Sequence, residues 1–284
     1  MAIKIAVMCH KGGVAKTSTV QTIAYELSTR HNAKVLICDL DQQNNHKTLM
    51  GVRDKDDKGM SAVLLNSYNP KKMLHSVRKN IDLITSGGKY ITKFDEFSKT
   101  HTAPELLLKD RMFEVENDYD FIIIDTPPAM SLISGATIVY ADYVVIPCDM
   151  DTMGFAAAKN MIDFFDTFEK QTEDKIAKVL GVIPVKADLR RNLDNLILDQ
   201  LYAQDDNNLL RGAWVLSPIR QSSNIKTAQA RKKFVQEVLP GKPFSEDYAK
   251  ITNEILDFIK EDKPKVGEAY LSRLNNDSLN EERL

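Results

Sequence analysis

The chain has 284 residues, of which 43% are hydrophobic and 27% are charged, a balance typical of a folded globular protein. Its 38 basic and 40 acidic residues give a formal net charge of -2, which excludes a globally basic nucleic-acid coat protein but allows a local basic face. No apolar run approaches the roughly 18 residues that cross a bilayer, and the first residues do not resemble a signal peptide.

The three cysteines are Cys9, Cys38 and Cys148, which lie far apart in the chain and include no Cys-x-x-Cys pair. A zinc or iron–sulfur site within one chain is therefore not expected. Each cysteine stands at the end of an apolar run, which predicts small buried thiols. Together these features favour a cytoplasmic protein.

Short apolar runs alternate with helical patterns along the chain. A first strand at residues 3–8 is followed by a helix at 16–30, with apolar positions at helical spacing. Further strands are predicted at residues 35–38, 81–84, 121–124, 143–147, 179–183 and 213–216, and further helices near 102–117, 131–141, 154–171, 190–203, 222–238 and 245–261. Continuous apolar strands separated by helices predict an α/β fold, a doubly wound and mostly parallel sheet in three α/β/α layers.

The sequence predicts one domain over residues 1–261. Residues 51–120 are the most polar and least periodic part and are interpreted as a helical elaboration of that domain. Residues 262–284 are predicted to form a polar C-terminal tail or a short helix.

A glycine-containing loop joins the first strand to the first helix, with the sequence His10-Lys11-Gly12-Gly13-Val14-Ala15-Lys16-Thr17-Ser18. A strand, a glycine turn and a helix N-terminus in this order form a site for anions, because backbone N–H groups and the helix dipole point into the turn. In such a loop Lys16 reaches the β- and γ-phosphates, and the Thr17 hydroxyl binds Mg²⁺. The loop therefore predicts a site for a nucleoside triphosphate that uses all residues from Lys11 to Ser18.

The run Lys11-Gly12-Gly13-Val14-Ala15-Lys16-Thr17 resembles the deviant Walker A loop of the ParA/MinD superfamily. In that family the early lysine, here Lys11, reaches across a dimer to the phosphates bound by the partner subunit. The resemblance implies an ATPase of weak intrinsic activity, with catalytic roles for Lys11 and Lys16 and an ATP-dependent homodimer. The family has glycine where this chain has Ala15; a negative φ would accommodate the methyl group, and the change concerns turnover more than nucleotide binding.

Two acidic side chains follow the second strand, in the sequence Asp39-Leu40-Asp41-Gln42-Gln43. Alternation along an extended segment places both carboxylates on one side, at the strand end where open α/β sheets bind ligands. The segment resembles the family motif Asp-x-Asp-Pro-Gln, with Gln42 in place of the proline. The resemblance implies that Asp39 supports the Mg²⁺ shell and that Asp41 orients the attacking water.

A third acidic element is Phe121-Ile122-Ile123-Ile124-Asp125-Thr126-Pro127-Pro128. Four apolar residues that end in aspartate are typical of a Walker B strand, which presents Asp125 to the water shell of Mg²⁺. The Thr-Pro-Pro segment resembles the switch II region of the family. The resemblance extends over roughly residues 3–260 and implies that Lys186 and Pro218 lie near the adenine.

Other branches of the superfamily provide alternatives. An electron carrier like the nitrogenase iron protein is rejected, because no cysteine lies between Cys38 and Cys148. A membrane-associated MinD-like protein needs a basic amphipathic C-terminus, whereas residues 262–284 contain four basic and five acidic residues. A metabolic ligase would use the same phosphate loop, but Lys11 and the Asp39/Asp41 pair favour a switch ATPase.

A basic segment favours DNA partition. Residues 211–233 contain six basic residues and no acidic one. The predicted DNA contacts in or near this segment are Arg190, Arg191, Arg220, Lys226, Arg231, Lys232 and Lys233, the last four within the helix predicted at residues 222–238. Such a surface predicts non-specific, salt-sensitive binding to double-stranded DNA.

The sequence is therefore interpreted as a cytoplasmic, nucleoid-associated ATPase of the ParA type that partitions a plasmid or a chromosome. ATP and Mg²⁺ would drive a sandwich dimer that binds DNA. Family resemblance implies a ParB-like centromere-binding partner that stimulates hydrolysis, and no membrane partner is expected. The alternatives that remain open are a MinD-like membrane-associated positioning ATPase and a nucleoid-based relative that positions other cargo.

Overall fold

A computed structural model describes residues 1–53, 58–172, 176–203, 210 and 213–263. The strands within these residues are β1 (Ile3–Val7), β2 (Val35–Asp39), β3 (His75–Arg78), β4 (Ile81–Ile84), β5 (Phe121–Asp125), β6 (Tyr143–Asp149), β7 (Lys178–Val185) and β8 (Trp214–Val215). They form one sheet in the order β3-β4-β2-β5-β1-β6-β7-β8. Only the β3–β4 pairing among them is antiparallel.

The helices of the same residues are α1 (Lys16–Arg30), α2 (Asn45–Met50), α3 (Gly59–Asn66), α4 (Phe94–Ser98), α5 (Leu107–Met112), α6 (Leu132–Tyr140), α7 (Thr152–Gln171), α8 (Asn192–Tyr202), α9 (Asn224–Ala230), α10 (Val235–Val238) and α11 (Pro243–Asp262). None of these helices combines the length and apolar character needed to cross a membrane.

The central strands are buried on both faces, as their continuous apolar sequences predict. In β5, Ile122 and Ile124 join the core on the side of α5, α6 and α7, whereas Phe121 and Ile123 join the core on the side of α1 and α11. All four side chains are inaccessible to solvent, and burial of each contributes about 1.5–3 kcal/mol. The predicted three-layer α/β/α fold with a mostly parallel sheet is confirmed.

The topology places one strand at the centre of the site. β1 lies between β5 and β6, and β2 pairs with the other edge of β5. Because these strands are parallel, their carboxyl ends and the loops that follow lie at one edge of the sheet, where ligands of open α/β folds bind.

Three predicted elements differ from the structure. The helix predicted near 102–117 is three short pieces, with 3₁₀ turns at Pro104–Leu106 and Glu116–Asp118 on either side of α5. The helix predicted at 222–238 is broken between α9 and α10, where Lys232 has a φ of 53°. Strand β3, at the sheet edge, was not predicted. The predicted tail lies outside the described residues from 264 onward.

A long-range contact stabilises the break before α10. Arg78 Nη2 donates to the carbonyl of Lys232 at 3.1 Å, and Arg78 also binds Glu237 at 2.8 Å. Glu237 in turn accepts a hydrogen bond from the backbone N–H of Phe234 at 2.8 Å. These partners satisfy the groups that an unbroken helix would have paired.

Candidate functional site

The phosphate loop connects β1 to α1 and faces open space. A Cβ added at Gly12 or Gly13 would meet no atom within 4 Å, and Gly13 has a φ of 74°. The Lys16 ammonium lies across the loop and donates to the carbonyls of Cys9 and Lys11, each at 3.2 Å. The loop is therefore an open turn with a buried lysine at its base, as the sequence predicts.

Ala15 adopts a left-handed backbone with φ 61° and ψ 21° at the start of α1. The expectation of a negative φ is therefore wrong. For an alanine this conformation costs about 1–2 kcal/mol, because its Cβ approaches the following carbonyl oxygen. The geometry of the loop requires this backbone, and so the loop carries local strain beside the position of the phosphates.

Asp39 and Asp125 are brought together by the pairing of β2 with β5, in which they are directly opposite residues. The Thr17 hydroxyl donates to Asp125 Oδ2 at 2.7 Å. Asp39 Oδ2 and Asp125 Oδ1 are buried and accept no hydrogen bond. Buried carboxylate oxygens without a donor, next to a threonine hydroxyl, fit a Mg²⁺ ion or its bound water.

The described residues contain no group of three or more His, Cys, Asp and Glu side chains that could hold a metal ion by itself. This finding excludes a metal cage made of those side chains alone in that part of the chain. Mg²⁺ at phosphate sites uses one or two carboxylates, water and phosphate oxygens instead. The donor set of Thr17, Asp39 and Asp125 is compatible with that mode.

His46 is a member of the site that sequence reasoning missed. It lies on α2, is completely buried, and its Nε2 is 3.0 Å from Asp125 Oδ2. Burial raises the pKa of Asp39 to about 7, although the charge of His46 opposes this shift. Burial by itself would lower the pKa of His46, but the hydrogen bond to Asp125 and the charge of Asp39 outweigh it, and the pKa is raised.

Asp41 lies close to the same groups. Its side chain is 7% exposed, and its Oδ1 accepts the backbone N–H of Gln43 at 3.0 Å. Burial raises the pKa of Asp41, an effect that Asp125 reinforces and Lys16 opposes. The structure thus brings Asp41 into the electrostatic environment of the phosphate loop, where its predicted role requires it.

Lys11 points to the other side of the loop. Its Nζ lies 2.9 Å from Asp151 Oδ2 and 3.1 Å from Asp149 Oδ2, at the carboxyl end of β6. The predicted adenine neighbour Lys186 also binds this group, with its Nζ 2.9 Å from Asp149 Oδ1 and 2.6 Å from the Gly13 carbonyl oxygen. Sequence analysis did not select Asp149 or Asp151, although they repeat the Asp-x-Asp spacing of Asp39 and Asp41 after another buried strand.

A cleft of about 860 Å³ opens beside the phosphate loop. Gly13, Ala15 and Lys186 line it, together with Ile219 and Tyr248. Its volume is in the range typical of small-molecule sites. Pro218, the other predicted adenine neighbour, is half-buried next to Ile219 and is not among the residues that line the cleft.

The predicted DNA-binding residues fall into two groups. Three arginines are engaged within the chain: Arg190 with Asp188 at 2.8 Å, Arg191 with Asp194 at 3.6 Å, and Arg220 with Asp247 at 2.5 Å. Arg190 and Arg191 precede α8 and do not begin it.

The other group is exposed. Lys226 lies on α9 and lines the cleft, whereas Arg231, Lys232 and Lys233 lie in the turn after α9 and not in a helix. We call Arg231, Lys232 and Lys233 the basic turn. Arg211 lies outside the described residues.

Comparison with known proteins agrees with this architecture. A family model described as an AAA domain matches residues 2–178. The chain is 24% identical over 265 residues to a virulence plasmid ParA family protein of Chlamydia psittaci, an alignment that covers 93% of this chain and 98% of that protein.

Two solved structures are similar in fold. Apo McdA from Cyanothece superposes with a TM-score of 0.79 at 24% identity, covering 90% of this chain and 100% of that chain. Cobyrinic acid a,c-diamide synthase from Mycobacterium smegmatis, with a bound ATP analogue and magnesium, gives a TM-score of 0.74 at 22% identity and covers 93% of this chain and 97% of that one. These similarities establish the fold.

Proposed function

The chain belongs to the AAA domain family and is a P-loop ATPase of the ParA/MinD type, and on this premise we propose that it partitions plasmid or chromosomal DNA. The observation that carries the proposal is the group formed by Thr17, Asp39 and Asp125 at the base of an open phosphate loop. A loop for phosphates next to carboxylate oxygens without donors supports ATP and Mg²⁺ as ligands.

The proposed nucleotide contacts follow from the loop geometry. The backbone of Gly12–Ser18 surrounds the phosphates, and Lys16 moves from the Cys9 and Lys11 carbonyls to the β- and γ-phosphate oxygens. Lys186 and the cleft beside it receive the nucleoside. The cobyrinic acid a,c-diamide synthase of similar fold was solved with an ATP analogue and magnesium, which supports this pair of ligands.

Thr17, Asp39 and Asp125 would hold the metal ion and its water. Mg²⁺ bound there would neutralise charge that develops on the phosphate oxygens. Asp41, buried and next to Lys16, would orient the attacking water and accept its proton. Hydrolysis at this site would be slow without a partner, as the family resemblance implies.

The proposed active form is a homodimer. Lys11 would leave Asp149 and Asp151 and contact the phosphates held by the second subunit, which supplies positive charge there. Two copies of the basic turn then act on one DNA molecule, so that DNA affinity depends on ATP through avidity. A ParB-like partner would accelerate hydrolysis and release the nucleoid-bound dimer.

One experiment tests these proposals together. DNA binding is measured over a salt titration with ATP and Mg²⁺, with ADP, and without nucleotide, for the wild type, Lys16→Ala and the surface control Lys34→Ala. We expect salt-sensitive DNA binding that needs ATP and that Lys16→Ala abolishes. ATP-independent binding, or wild-type behaviour of Lys16→Ala, would contradict the proposal.

A vesicle pelleting assay with anionic lipids distinguishes the MinD-like alternative, which predicts ATP-dependent binding to vesicles and none to DNA. A metabolic ligase is a second candidate, because the synthase from M. smegmatis shares the fold over 93% of this chain. For a ligase we expect a nucleotide-bound protein whose DNA affinity is negligible under every condition. A relative that positions other cargo would bind DNA but ignore any centromere-binding partner.

A further inference from the structure

His46 occupies a buried position between two helices and the metal-binding strand. It is completely inaccessible to solvent and lies on α2, a helix of six residues that follows the Asp39/Asp41 segment. Its Nε2 is 3.0 Å from Asp125 Oδ2, and its Nδ1 is 3.4 Å from Gln21 Nε2 on α1. The imidazole is therefore held on both sides.

The hydrogen bonds around Asp125 are unequal at its two oxygens. Oδ2 receives the Thr17 hydroxyl at 2.7 Å and His46 at 3.0 Å, whereas Oδ1 is buried and receives no hydrogen bond. Since an ionised carboxylate only accepts, the His46 Nε2 carries the hydrogen and donates. Two donors from separate helices thus fix the rotation of the carboxylate and leave Oδ1 as the free oxygen.

We propose that His46 is a positioning residue that holds Asp125 so that Oδ1 is presented to the metal-bound water. This inference rests on the proposed function, since it assigns His46 to the metal shell of that site. His46 binds Asp125 and Gln21 and makes no hydrogen bond to the phosphate loop. Its loss therefore raises the Mg²⁺ requirement and leaves metal-free nucleotide binding unchanged.

The opposing explanation is that His46 only fills space in the core. A core role predicts that substitutions lower the melting temperature according to volume and apolarity, with no separate change in the Mg²⁺ requirement. The two explanations differ for Gln and Asn. The Gln amide nitrogen reaches about as far as a His Nε2 and can donate to Oδ2, whereas the Asn amide is one methylene shorter.

The test compares wild type, His46→Gln, His46→Asn and His46→Leu, with His31→Leu as a control for loss of an imidazole elsewhere. Binding of a fluorescent ATP analogue is measured at increasing Mg²⁺ and in EDTA, and the melting temperature is recorded without ligand. For His46→Asn and His46→Leu we expect the Mg²⁺ concentration at half-maximal binding to rise by roughly 10- to 100-fold, as for other residues that support metal ligands. His46→Gln and His31→Leu should stay within a few-fold of wild type.

A folded His46→Leu with the wild-type Mg²⁺ requirement would overturn the inference and leave the proposed function intact. If His46→Leu does not fold, equal Mg²⁺ requirements for His46→Gln and His46→Asn would overturn it. A wild-type protein that binds no nucleotide with Mg²⁺ would instead overturn the proposed function, and this inference with it.

Discussion

Lys11 is paired with Asp151 within its own subunit, at 2.9 Å between Nζ and Oδ2. The hydrogen bond from Lys11 is the main reason why the pKa of Asp151 is lowered. Burial would lower the pKa of Lys11, but its hydrogen bonds to Asp151 and Asp149 outweigh burial and raise it. The amine proposed to cross a dimer interface is thus already charged and occupied in the single chain.

Asp151→Asn should strengthen ATP-dependent dimerisation, because Lys11 then leaves its own subunit more easily. Asn also caps helices, so the hydrogen bond from Gly154 to the side chain at position 151 should be kept. A partly exposed ion pair is worth about 0.5–1 kcal/mol, which predicts a roughly 2- to 5-fold lower dissociation constant. Sedimentation equilibrium with ATP and Mg²⁺ measures it.

The control is Lys11→Ala, alone and combined with Asp151→Asn. We expect the gain from Asp151→Asn to disappear in the Lys11→Ala background, since the pair no longer exists. An equal gain in both backgrounds would show that Asp151 acts on the dimer by another route.

Ala15→Gly should stabilise the protein by about 0.5–1 kcal/mol. Glycine adopts the left-handed backbone without the Cβ penalty, and this gain exceeds the greater entropy that glycine gives the unfolded chain. Ala24→Gly is the matched control within the helical part of α1 and should lose about 1 kcal/mol or more. Urea unfolding of both variants gives the two signs; a loss for Ala15→Gly would be inconsistent with strain at this loop.

Asp41→Ala should lower ATP hydrolysis by about 100-fold or more, because the group that orients the water and takes its proton is removed. ATP binding should remain, since Asp41 is not assigned to the phosphates. The dimer should then persist after ATP addition, as followed by size-exclusion chromatography over time. Unchanged phosphate release would remove Asp41 from the mechanism.

Lys232→Glu combined with Lys233→Glu should weaken DNA binding and reduce the dependence of log affinity on log salt by about 2, one for each lost phosphate contact. ATP-dependent dimerisation should be unchanged. The control is Lys99→Glu with Lys109→Glu, which changes charge equally on exposed lysines near α4 and α5, on the opposite face of the sheet. Equal effects of the two pairs would assign the loss to net charge and not to the basic turn.

Arg220→Gln should affect stability more than DNA binding. The guanidinium of Arg220 binds Asp247 at 2.5 and 2.9 Å, and Asp247 also accepts the Arg220 backbone N–H at 3.0 Å. We expect a lower melting temperature, measured by calorimetry, with the DNA salt slope kept. A DNA defect without a change in melting temperature would return Arg220 to the DNA surface.

Asp142 should make stability dependent on pH in the acid range. Burial would raise the pKa of Asp142, but Lys4 and Lys263 outweigh burial and lower it below the ordinary value of 3.8. A lowered folded pKa means that the stabilisation is complete above pH 3.8 and is lost as the pH falls through the folded value. Asp142→Asn should therefore cost about 2 kcal/mol near neutral pH and less at low pH, as measured by denaturant unfolding at several pH values. A cost that does not change with pH would contradict this assignment.

The parts of the site that sequence predicts best are those fixed by strand ends. Asp39 and Asp125 end continuous apolar runs, and parallel strands bring such ends to one edge whatever the details of the fold. Thr17 and Lys16 follow from the loop in the same way. Asp149 could have been found by the same reasoning, because it ends the apolar run of β6.

The features that sequence does not predict depend on contacts between distant segments. His46 lies on a helix too short for a periodic pattern, and its role depends on Asp125, 79 residues away. The break at Lys232 depends on Arg78, 154 residues away. The φ of Ala15 is set by the loop that joins β1 to α1, whereas alanine alone favours an ordinary helical backbone.

Both margins of the sheet are short. β3 has four residues and β8 has two, so few backbone amides and carbonyls are left for another polypeptide to pair with. Long unpaired edges promote strand addition, aggregation and fibril growth, and short ones oppose them. Self-association at high concentration in the cell is therefore directed away from endless side-by-side stacking of sheets.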